Sequence, residues 1–110
     1  ERISASHRGS FLAVLKTFGA ANDNLLSFPM EGYTLALDFK LEPGLLELLD
    51  ELDSMVLAYD GRLYLAKDAR MSEATFKQSQ PNWQQFQEVR AHYGALGKFA
   101  SLQSRRLGLD

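Results

Sequence analysis

The sequence predicts an α+β domain: an antiparallel sheet with one long amphipathic helix, followed by a helical C-terminal tail. Two patterns and a pair of signals predict it. Apolar and polar residues alternate through "YTLALDFK", 33–40; apolar residues recur at three- and four-residue steps from Leu45 to Tyr59; and two helix-start signals follow Met71.

In "SFLAVLKTF", 10–18, both parities are apolar and the residue types suit a pleat, so a strand covered on two faces is expected. "GAANDN", 19–24, is a turn cluster, and Pro29 and Gly32 punctuate the approach to the next strand. In that strand Tyr33, Leu35, Leu37 and Phe39 fall on one side, with Thr34, Ala36, Asp38 and Lys40 on the other. Pro43 suits a first helical turn. Leu45, Leu48, Leu49, Leu52, Met55, Val56 and Tyr59 then form an apolar stripe, with Glu47, Asp50, Glu51 and Asp53 turned away. Asp60 and Gly61 stop the helix, and "RLYLA" is expected to return as a third strand ending on Lys67. Ser72 can cap a short helix to about Ser79. Pro81-Asn82 opens another, with Trp83, Phe86, Val89, Arg90 and Tyr93 on one stripe, and Gly94 and Gly97 end it. "SLQSRRLGLD" adds a turn or two before fraying.

A chain of 110 residues bounds one small domain, and 12 basic against 14 acidic side chains leave a formal charge of −2, too little field to gather nucleic acid. With no cysteine, disulfides, thiolate nucleophiles and zinc-thiolate sites are excluded together. His7 and His92 lie far apart with no third ligand pattern, so metal binding is not expected. No apolar run approaches the about 18 residues of a spanning helix, and a soluble, cytoplasmic protein is the expectation. The chain begins at Glu1 and runs quickly into a strand-like stretch, which suggests a piece of a longer protein.

Strand parity puts Val14, Lys16 and Phe18 on one face, and Thr34, Ala36 and Asp38 on one face of the next strand. Each set mixes apolar, small and charged groups, as in a pocket wall where a few polar groups orient a ligand. The alternative is a cross-strand Lys16–Asp38 pair at a wet sheet edge. Lys67 poses the same choice. It either snorkels to solvent or presents a cation at the rim of a buried surface, where it can hold an anionic group or a developing oxyanion.

Four segments, "SFLAVLKTFG", "LSFPMEGYTLALDF", "GRLYLAKDAR" and the closing "SLQSRRLGL", resemble the C-terminal part of FAD-linked sugar oxidases of the vanillyl-alcohol-oxidase superfamily. The branch acting on polyprenyl-phosphate pentoses is nearer than the aldonolactone oxidases. The resemblance implies hydride transfer from a sugar hydroxyl to FAD. It makes residues 1–66 the C-terminal portion of a substrate-binding domain and 67–110 a helical tail completing the FAD-binding domain. It implies that Lys67 is the active-site lysine, that Lys67 and Tyr64 contact the cofactor, and that Lys16, Val14, Phe18, Thr34 and Ala36 contact substrate. Thr34 and Ala36 stand where mycobacterial members carry asparagine and cysteine, which makes the pocket less polar. The implied partners are a sugar or polyprenyl-phosphate sugar and an upstream FAD domain, with peripheral membrane association and self-association through an exposed Trp83–Phe86 surface as further expectations. The fragment alone is expected to be inactive. The rival reading is a non-catalytic α+β interaction module.

Overall fold

A computed structural model describes residues 1–110. Its elements in chain order are α1 (Arg2–Ala5), β1 (Leu12–Phe18), β2 (Gly32–Asp38), α2 (Leu45–Ala58), a 3-10 turn (Leu65–Lys67), α3 (Glu73–Ser79), α4 (Trp83–His92) and α5 (Leu102–Arg106). The α+β class with an antiparallel sheet and C-terminal helices is therefore as the sequence predicts. The chain divides into two compact units, one of residues 1–22 and 29–52, the other of residues 23–28 and 53–110.

In the first unit β1 and β2 form a two-stranded antiparallel ribbon, with Leu12 opposite Asp38, Val14 opposite Ala36, Lys16 opposite Thr34 and Phe18 opposite Gly32. Ser10 closes its open end: its hydroxyl lies 2.6 Å from the Leu12 carbonyl oxygen and accepts from the Asp38 amide at 3.0 Å. The expectation that β1 is covered on both faces is not met, because all of β1 but Phe18 is exposed. Apolar residues on both parities signal a demand for cover, and one ladder of seven-residue strands cannot supply it from within. On one face Leu15 is 65% and Leu35 56% exposed. The N-terminal segment is tied to this unit by Arg2, bidentate on Glu51, and by Arg8, which donates to Pro43 O at 2.8 Å.

Helix α2 buries Leu45 and Leu48 and half-buries Leu49, Leu52, Val56 and Leu57. Two expected stripe members fail: Met55 is exposed, and Tyr59, beyond the last helical residue, is 85% exposed. Conversely Asp53, expected to face water, is only 6% exposed. It lies one helical turn beyond Leu49, on the buried side, and is matched by Arg70 Nη2 at 2.7 Å. The helix ends with Asp60 in the left-handed region (φ 56°), while the Gly61 amide reaches back to Val56 O at 2.9 Å and the Asp60 amide to Leu57 O at 3.1 Å. This is a Schellman closure in which aspartate takes the left-handed position and glycine the next. Gly61 is required by proximity, since a Cβ there would stand 2.7 Å from Val56 Cγ1 and 2.9 Å from Val56 O. Gly61→Ala is accordingly expected to lower stability by about 1–3 kcal/mol, read as a shift in the urea midpoint at constant slope.

"RLYLA" is not a strand. Residues 61–64 have no regular pairing, and Leu65–Lys67 make a single 3-10 turn closed by Lys67 N to Tyr64 O and Asp68 N to Leu65 O, each 3.2 Å. The apolar run is used instead as core: Leu63 and Leu65 pack with Leu26, Trp83 and Phe86 around the buried Met71, Phe76, Leu107 and Leu109. Ser72 caps α3 as expected, accepting from the Thr75 amide at 3.1 Å. Trp83 and Phe86, whose helical spacing suits core or a docking surface, turn toward this core rather than forming the exposed surface that the resemblance implied, and Lys77 Nζ lies 4.3 Å from the Trp83 ring centroid. The tail does not fray. A reciprocal Ser101–Ser104 capping box starts α5, Leu107 and Leu109 are buried, and the Arg90 guanidinium binds the carbonyls of Phe99 and Leu109 and the carboxylate of Asp110.

Candidate functional site

All five residues to which the resemblance assigns substrate contact lie on one face of the ribbon. Opposed residues in an antiparallel pair project to the same side, so the register puts Lys16 beside Thr34, Val14 beside Ala36, and Phe18 at the same level as Gly32. Period-2 reasoning could place each set on a face of its own strand but not decide whether the two faces coincide; the pairing register does. The register also removes the alternative of a Lys16–Asp38 cross-strand pair. Asp38 is opposite Leu12, four residues from Lys16, or about 13 Å along the strand. Lys16 is exposed while Thr34 and Ala36 are half-buried, so the face carries a cation over a floor of small side chains. Such a floor leaves room for a flat ligand, and the ammonium can hold a hydroxyl or an anionic oxygen.

In the second unit the segment around Lys67 is built differently from the expected strand, with a consequence for chemistry. In a strand, residues three apart point to opposite faces. Here only Leu65–Lys67 are 3-10, and Tyr64 is the extended residue just before them (φ −82°, ψ 106°), so the turn itself carries Lys67 while Tyr64 stands at its entrance. Tyr64 is held by Phe28, whose ring centroid lies 5.0 Å away, while Arg62 Nη1 donates to Ser27 O at 2.9 Å and ties the same two segments together. Lys67 itself is exposed. An exposed ammonium is a donor suited to the electron-rich edge of a flavin ring, where negative charge gathers on reduction. In charge and exposure the Lys67 side chain is compatible with the ring portion of FAD.

Asp68 anchors the far side of the turn. Its Oδ1 accepts from the amides of Arg70 at 3.0 Å and Met71 at 2.8 Å, and its Oδ2 pairs with Arg106 Nη2 at 2.8 Å. Burial pushes the carboxyl upward, but the Met71 and Arg70 amides and the Arg106 guanidinium outweigh it, and the group sits below the usual carboxylate range. A depressed folded-state value adds stability that is complete above the unfolded value of about 4 and is lost as pH falls from there through the folded value. Glu51 and Asp110 are lowered too, by Arg2 and by Ser104 with Arg90. Asp68→Asn therefore isolates the contribution: the variant is expected to be less stable than the parent at pH 7, with the gap closing below about pH 4 in urea titrations.

The polar residues that fasten this turn, Gln103 and Arg106, carry no local signal in the sequence. Gln103 Nε2 donates to Leu65 O at 2.6 Å, and Arg106 donates also to Met71 O.

No family model matches the chain. It is 42% identical over 107 residues, 97% of its own length, to decaprenylphosphoryl-beta-D-ribose oxidase of Mycolicibacterium smegmatis. This chain is similar over nearly its whole length to part of that oxidase. It is also 40% identical over 97 residues to an uncharacterized protein in the mprA 5′ region of Streptomyces coelicolor. The chain spans 23% of the oxidase and 26% of the Streptomyces protein, about a quarter of the length of the curated relatives it matches.

Proposed function

We propose that these residues serve an FAD-dependent oxidase that takes hydride from a hydroxyl-bearing carbon of a sugar, and that the 110-residue piece is inactive by itself. In this reading residues 1–66 contribute to the substrate-binding part and residues 67–110 to the flavin-binding part. The observation that carries the reading is the 42% identity to a polyprenyl-phosphate-ribose oxidase across 97% of the chain. The shared ribbon face of Val14, Lys16, Phe18, Thr34 and Ala36 supports it.

The roles follow from the chemistry of each side chain. FAD, when bound, supplies the hydride acceptor. Lys67 holds negative charge near the reacting hydroxyl and the ring edge, and Tyr64 orients the same edge with its phenol. Lys16 binds a sugar hydroxyl or a phosphate oxygen. Val14 and Phe18 exclude water from the sugar's apolar face, and Thr34 supplies one hydroxyl donor or acceptor beside the small Ala36. Oxidation at a carbinol carbon removes a hydride from carbon and a proton from oxygen, the proton passing to water, so a fixed cation next to that oxygen stabilises the charge as the O–H bond is lost.

The test is anaerobic mixing of the complete protein that carries this segment with a panel of free sugars, aldonolactones and polyprenyl-phosphate pentoses. Bleaching of the flavin's visible band by a sugar of the panel is the expected result. A complete protein that purifies without flavin, or whose flavin no sugar reduces, contradicts the reading.

A further inference from the structure

The turn that carries Lys67 cannot hold itself. It is one turn long, its two internal hydrogen bonds are each 3.2 Å, and 3-10 geometry is poorer than α-helical geometry. Nucleating so short a helix is unfavourable without outside contacts. Two such contacts come from α5, more than thirty residues further along the chain. Arg106 pairs with Asp68 and with the Met71 carbonyl and so fixes the segment leaving the turn. Gln103 acts on the turn itself. Its Nε2 donates to Leu65 O at 2.6 Å and lies 3.5 Å from Asp68 O, the carbonyls at the first turn residue and just past the last.

We propose that Gln103 is the positioning residue for Lys67: its carboxamide clamps the backbone on both sides of the lysine and fixes where the ammonium is presented. The proposal rests on the reading of Lys67 given under Proposed function. Three features single out Gln103 for this part. It is half-buried, so its amide hydrogens are not simply exchanged for water. Leu65 O already accepts the Asp68 amide within the turn, and the Gln103 bond uses its second lone pair, so the side chain adds to the turn rather than competing with it. The helix that presents Gln103 is itself anchored, by the capping box at its start and by the burial of Leu107 and Leu109 just beyond its end. The clamp therefore refers the position of Lys67 to the core of its own unit.

Losing the clamp leaves the core and the Arg106–Asp68 pair intact but lets the turn open. A displacement of about an ångström at a positioned group is enough to cost a large factor in rate. In the complete flavin-bearing protein, Gln103→Met removes the donor at nearly constant volume, and Gln103→Glu keeps the shape but sets an acceptor against the two carbonyls. For each, two measurements are made: amide hydrogen exchange of the Lys67–Asp68 peptide, with the Phe76 and Gln80 amides as an internal control of folding, and the anaerobic rate of flavin reduction in the parent and in a Lys67→Ala background. The expected result is exchange at Lys67 and Asp68 faster by on the order of tenfold, unchanged protection at Phe76 and Gln80, and a reduction rate down by on the order of tenfold in the parent with no further loss once Lys67 is alanine. Unchanged exchange at Lys67 and Asp68 overturns the clamp, whatever Lys67 does. Equal rate losses with and without Lys67 show that Gln103 acts elsewhere, and overturn the proposal while sparing the reading of Lys67. If Lys67→Ala alone leaves the reduction rate unchanged, the reading of Lys67 fails and the catalytic part of the proposal falls with it.

Discussion

Replacing Phe76 with alanine should remove about 3–5 kcal/mol of stability, enough to unfold the unit of residues 23–28 and 53–110 under conditions where the parent is folded. Phe76 is 0% exposed, and the cluster it belongs to includes Met71, Leu107 and Leu109, with Leu26, Leu63, Leu65, Trp83 and Phe86 packed around it. Removing the ring deletes its transfer free energy and leaves a cavity that neighbours from four separate segments can fill only in part. Whole domains are stable by only about 5–15 kcal/mol, so the loss is a large share of the total. The effect reaches the candidate site, because Leu65 of the 3-10 turn rests on the same cluster. Urea denaturation followed by circular dichroism is expected to show a midpoint far below the parent's or no cooperative transition; a shift equivalent to less than about 1 kcal/mol would mean that the ring is not packed as described.

What could be read from the sequence was whatever local chemistry decides. The alternation of 33–40 gives β2, and Ser72 caps α3 because a hydroxyl three residues before Thr75 needs no distant partner. Leu45, Leu48, Leu49 and Leu52 fall on the buried side of α2 by periodicity alone. The departures have a common cause, which is that a distant residue decides them. Asp53 lies on the buried side of α2 because Arg70 neutralises it, and nothing within the helix announces that partner. "LYLA" has the composition of a strand, but strands need an edge to pair with; here the segment satisfies its apolar residues against α3, α4 and the C-terminal leucines instead. The tail looked prone to fray because its anchors, Arg90 and the core around Phe76, lie outside it.

The candidate site divides in the same way. That Val14, Lys16 and Phe18 share a face follows from the period of a strand, whereas their meeting with Thr34 and Ala36 depends on register, which two strands set between them. That Lys67 ends a 3-10 turn rather than a strand depends likewise on distant residues, Gln103 and Arg106 of α5.

Lys67→Met is the substitution with the largest expected effect on activity. Lys67 is exposed, so removing its charge should change stability little, and methionine keeps most of the unbranched stem. Only the ammonium is lost. A fixed donor aimed at charge that develops during reaction is typically worth about 10²–10³ in rate. The direct measurement is the single-turnover rate of anaerobic flavin reduction by a saturating sugar substrate in the complete protein, wild type against Lys67→Met, at matched flavin content. A fall of about 10²–10³ with the flavin still bound is predicted; an unchanged reduction rate would contradict the assignment of this lysine to the reacting centre.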